Sequence, residues 1–226
     1  MRSLVIVALL AAPAFAEEGM TPSADGRELA GIVAGTRAGD GQGFVLAQSD
    51  WDGVRGFRLS GMAEIPLVHH LRAVLRVEGI GDVGRPGAGL AYVIAPYATA
   101  YLLYKAEGFS EPEGEIEAAM ALAHGPLFGS VTYGQDADAN DRDIEGALAA
   151  RFELTRGVFA GAMARYRDAL GTTGEALARD AFGGAMATLA VDRVAITAMA
   201  GAAGVQRIGS RFEAGAAATL AIGTAF

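Results

Sequence analysis

The chain has no cysteine, a single lysine (Lys105) and only three histidines. Without cysteine there is no disulfide framework, no thiolate metal site and no lipid anchor on an N-terminal thiol. Lysine and arginine number 18 against 26 acidic residues, a net charge of −8. Phosphate neutralisation needs clustered basic side chains, so nucleic acid is excluded as a partner. Long apolar runs are missing as well. Apolar residues make up 52% of the chain, yet beyond its start none forms the roughly 18-residue run that a transmembrane helix requires. Charges interrupt every apolar stretch, often at alternate positions.

The start of the chain stands apart. Met1-Arg2-Ser3 is a short basic lead, Leu4 to Ala12 is apolar, and Ala14-Phe15-Ala16 is a small-x-small cleavage site. Residues 1–16 therefore read as a secretory signal peptide, too short to span a bilayer as a helix. Residues 17–40 form an N-terminal segment in which Asp25-Gly26-Arg27-Glu28 has the form of a capping box. Leu29, Ile32 and Val33 follow it at helical spacing, which predicts a short helix, either plugging the interior of the main body or lying outside it.

Residues 41–226 read as all-β, in segments of about ten residues with period two. Phe57, Leu59, Gly61, Ala63, Ile65 and Leu67 oppose Arg58, Ser60, Met62 and Glu64. Leu71, Ala73, Leu75 and Val77 oppose His70, Arg72, Val74, Arg76 and Glu78. Ile116 to Leu122 and Ile144 to Leu154 repeat the pattern against Glu115, Glu117, Glu145, Arg151 and Glu153. A helix would scatter these charges around its circumference, whereas a strand collects them on one side. Only in the Ala-rich stretch 175–191 does propensity alone favour helix.

Connections alternate in length. Short ones lie near Pro66-Leu67-Val68, Ala95-Pro96, His124-Gly125-Pro126, residues 154–157 and residues 191–193, with longer polar ones between them at 79–87, 107–114, 134–143, 168–179 and 204–210. Eleven strands follow Val54, and an even-stranded closed barrel needs one more before it, for which 42–48 is the candidate. The expectation is an antiparallel up-and-down transmembrane β-barrel of about 12 strands, with ten if weak segments such as 87–94 are loop. On this assignment Phe57, Tyr104, Tyr133, Tyr166, Phe182 and Phe212 fall on the lipid face near the long-loop ends. Phe152 and Phe226 fall near the short-turn ends, the two interfaces that amphipathic rings prefer.

The last fifteen residues alternate from Phe212 through Leu220 and Ile222 to Phe226, the final residue. This segment resembles the closing strand of the bacterial outer-membrane β-barrel superfamily, although Thr224 departs from the apolar residue usual there. The resemblance implies insertion in outer-membrane lipid by the barrel-assembly machinery, which reads that strand, with Phe226 as the barrel-closing residue. The charged inward face, interleaved with Ala and Gly that leave room for water, reads as a small porin-like channel for small hydrophilic solutes or ions, or alternatively as a closed structural or loop-binding barrel. The charges assigned to the lumen are Arg58, Glu64, Arg72, Arg76, Glu78, Lys105, Glu107, Glu115, Glu117, Glu145, Arg151, Glu153, Arg165 and Arg167. Some members are lipid-modifying enzymes with a Ser–His pair at the outer leaflet. Here His69, His70 and His124 all adjoin short turns at the opposite end, so that chemistry is disfavoured, and no catalytic residue or cofactor is assigned. His69 and His70, on opposite faces of one strand, make a poor chelating pair. Asp136-x-Asp138-x-Asn140 lacks the Gly and Glu that complete a calcium loop, so it reads as an acidic loop without a metal.

Overall fold

The computed structural model describes residues 43–53, 56–79, 84–95, 97–106, 114–136, 142–170, 177–207 and 209–226. The expected signal peptide, the expected short helix in 17–40, Glu107 and most of the acidic 136–140 motif lie outside them.

Twelve antiparallel strands run in chain order: β1 (Phe44–Asp52), β2 (Gly56–Val68), β3 (Leu71–Glu78), β4 (Arg85–Ala95), β5 (Ala98–Ala106) and β6 (Gly114–His124). They continue with β7 (Leu127–Asp136), β8 (Arg142–Thr155), β9 (Val158–Leu170), β10 (Leu177–Val191), β11 (Val194–Arg207) and β12 (Glu213–Ala225). Each bonds its chain neighbours and β1 bonds β12, closing the barrel. The closing register runs from Phe44↔Ala225 to Asp52↔Ala217. The weak segment 87–94 is β4 and the Ala-rich stretch is β10. Helix propensity yields there because both edges of β10 are paired, with β9 and β11, so its backbone groups find partners across the sheet.

Five connections at one end are two residues long: 69–70, 96–97, 125–126, 156–157 and 192–193. Such turns favour left-handed backbone because its twist matches that of the strands. Positive φ occurs at His69 (44°), Gly125 (59°), Gly157 (76°) and Asp192 (53°). The chain enters and leaves the barrel at this end, through Gly43 and Phe226. The opposite end carries the longer connections.

Side chains alternate as a barrel in lipid requires. On the outside, Leu148, Leu102, Ile116, Leu122 and Val131 are about half exposed or more. Trp51, Phe57, Tyr104, Tyr133, Tyr166 and Phe212 are exposed near the long-loop end, and Tyr92, Tyr97, Phe152 and Phe226 near the short-turn end. Phe182 corrects the expected girdle. Asp180 is buried against Arg165, so the even residues of β10 face inward and Phe182 packs on the interior cluster.

Candidate functional site

The barrel interior holds the ionisable groups, and they are not evenly spread. Near the short-turn end, Glu64 of β2 is fully buried. Arg72 Nη1 donates to its Oε2 at 3.1 Å, and Tyr101 Oη donates to its Oε1 at 2.9 Å. A buried carboxylate persists when its lone pairs are met in this way. Arg151, at the same end, lies 4.4 Å from the Phe159 ring centroid and 5.1 Å from that of Phe128, within cation–π range.

A denser network occupies the long-loop half. Arg76 Nη1 lies 3.1 Å from Glu117 Oε2 and also pairs with Glu78 two residues along its own strand. Lys105 Nζ sits 2.9 Å from Glu115, 3.7 Å from Glu78 and 4.0 Å from Glu117. Further round the wall Arg165 meets Asp180 at 3.0 Å, and Arg167 pairs with Asp143. Glu145 stands opposite Arg167 in the register and is buried. Asp50 accepts from Thr219 Oγ1 at 2.6 Å and from Gln48 Nε2 at 2.7 Å. The remaining wall, on β10 to β12, is uncharged over most of its length and rich in Ala, Thr and Met.

Alternation thus brings together Glu64 with Arg72, and Arg76, Glu78, Lys105, Glu115 and Glu117 in one network. Arg58 is half-buried with inward parity near the long-loop mouth. Glu153 shares the inward parity but is exposed at the rim, where it accepts from the Gly157 N–H at 3.1 Å. Tyr101, Asp50, Asp143 and Asp180 join the charges that the sequence assigns to the lumen. Asp143 and Asp180 adjoin loops at their strand ends, and the signal that exposes Asp143 is its spacing of two from Glu145. The histidines correct another expectation. His69 and His70 do not sit on opposite faces of a strand but form the β2–β3 turn, where positive φ at His69 bends the chain. His70 lies edge-on to Tyr92, with ring centroids 6.2 Å apart, and His124 does the same with Tyr97 at 6.2 Å. All three are exposed at the short-turn end.

No family model matches the chain, and no curated protein matches it. Solved structures do. The barrel superposes on the KdgM porin with a TM-score of 0.53 and 7% identity, covering 81% of this chain and 99% of that one. It superposes on the NanC porin with a TM-score of 0.56 and 6% identity, covering 80% and 98%. This chain therefore shares a closed barrel fold with the KdgM and NanC porins.

Proposed function

We propose that the protein is a narrow outer-membrane channel for small hydrophilic solutes or ions, placed there by assembly machinery that reads its C-terminal strand. The observation that carries this is the inner wall. Eight strands enclose a space that inward side chains just fill, and this barrel has twelve, with charged groups on the inner wall and small residues between them. Charges on that face cost little only if they pair or meet water. The fold shared with the two porins supports the same reading. The exposed short-turn position of every histidine supports a protein without a Ser–His nucleophile at the outer leaflet.

A second reading, a closed structural barrel, draws on the pairing itself: each charge network is buried and mutually compensated in the state described. Conductance separates the two. Purified folded protein, whole and lacking residues 17–40, is reconstituted in planar bilayers. A channel gives discrete current steps from at least the shortened chain. Silence from both, across several preparations of correctly folded barrel, establishes the closed reading.

A further inference from the structure

The inner wall is not charged over its whole height. On β3 the inward residues run Arg72, Val74, Arg76. Arg72 bonds Glu64 towards the short-turn end and Arg76 bonds Glu117 towards the long loops, while Val74 between them is 0% exposed. The same break occurs on β2, where Met62 stands next to Glu64 on the inward face, and on β9, where Met163 stands next to Arg165. Neighbouring strands carry it round the wall. Leu46 is opposite Met62 in the register and Met186 is opposite Met199, with Met163 two residues from the partner of Met186. Strands about 4.8 Å apart and tilted by about 40° climb roughly one residue per strand. With that step, Leu46, Met62, Val74, Met163, Met186 and Met199 fall within about 5 Å of one another along the barrel axis. The other six strands supply alanine, glycine, Ser130 and Tyr101 at this level, and none of the twelve side chains is charged. The six large residues are buried in one apolar cluster to which every strand contributes.

We infer that this apolar ring is the gate of the channel. It shuts the lumen to water and small ions in the state described, and it opens when its methionines change rotamer and the level wets. An ion reaching the ring gives up water and finds no group to replace it, the condition under which hydrophobic constrictions close pores by dewetting. The composition suits a moving part. A fixed core is better served by branched or aromatic side chains with few rotamers, whereas methionine has three rotatable bonds and repacks without a backbone shift. Four of the six large residues are methionine, and three of these adjoin one another on β9 to β11. The charged layers on either side set ion preference, and the ring sets how often the pore is open. The inference rests on the channel reading and adds to it the level at which passage is controlled.

Glutamine is close to methionine in size, so replacing one by the other changes polarity and little else. Met186→Gln and Met199→Gln are made singly and together, and the single variants keep the test valid if the double does not fold. Met120→Gln, on the exposed outer face of β6, is the control. Each folded barrel, verified by heat-modifiable migration, is recorded in planar bilayers in potassium chloride, as the full chain and lacking residues 17–40. The unaltered barrel opens briefly and rarely. Each lumen variant raises the fraction of time open at least about tenfold, the effect of a polar group at a level that must wet, and the double variant raises it further. The control behaves as the unaltered barrel. Equal open fractions in conducting unaltered and lumen-variant barrels overturn the gate and leave the channel standing. A rise in Met120→Gln as large as that in the lumen variants overturns it too. Silence from every folded barrel, shortened ones included, defeats the channel reading and the gate with it.

Discussion

The ring of Phe226, the last residue, lies over Gly43, the residue that leads into β1. Their peptide groups exchange two hydrogen bonds, Gly43 N–H to the Phe226 carbonyl at 3.0 Å and Phe226 N–H to the Gly43 carbonyl at 2.9 Å. A Cβ on Gly43 would sit 2.6 Å from Cζ of that ring and 2.7 Å from the Glu64 carbonyl oxygen. The seam that closes the barrel therefore depends on a missing side chain beneath an aromatic one.

Gly43→Ala should destabilise the folded barrel by about 1–3 kcal/mol, the usual cost of overpacking. The same change should cost less when Phe226→Ala is also present, because one of the two clashes is gone and the sites are coupled. The folded fraction on heat-modifiable gels, across a urea series, measures both.

Glu64→Leu removes the acceptor of Arg72 and Tyr101 and leaves the Arg72 guanidinium buried. The loss should be about 3–5 kcal/mol. Replacing both partners, with Glu64→Leu and Arg72→Leu together, should recover most of it, since no charge then remains to be desolvated. Equilibrium unfolding in vesicles checks the order, and a double variant as unstable as the single one contradicts it.

Leu148 projects outward at the middle of β8 and is 64% exposed, whereas Ile144 projects outward near its end. Leu148→Arg should cost about 2–4 kcal/mol in a bilayer and Ile144→Arg about 0–1, following the depth dependence of charge on a lipid face. Equal penalties mean that the belt is not where the side chains place it.

Neutralising a base in the long-loop network leaves its carboxylates in excess. In the shortened barrel, Lys105→Gln or Arg167→Gln should shift the reversal potential under a salt gradient towards cation preference. Arg156→Gln, on an exposed turn, should leave it unchanged.

Most of the barrel is legible in the sequence because charges mark the inward face: Arg72, Arg76 and Glu78 fix β3, and Glu115 with Glu117 fixes β6. Where Ala and Gly fill both faces the alternation loses amplitude. β10 shows the result, since Phe182 looks like a girdle residue until Asp180 is seen paired with Arg165. Parity also says nothing of partners. Arg76 reaches Glu117 from β3 to β6, and Tyr101 reaches Glu64 from β5 to β2, because the inter-strand register brings them level. That register depends on turn geometry and bulges such as the one between Pro66 and Val68, which no single strand encodes.

The central claim is that this inner wall encloses a path for solutes, and single-channel recording on the barrel lacking residues 17–40 tests it most directly. Discrete, reproducible steps whose ion preference moves with Lys105→Gln are the predicted result. Folded barrels that never conduct, in repeated preparations and at either polarity, would contradict it.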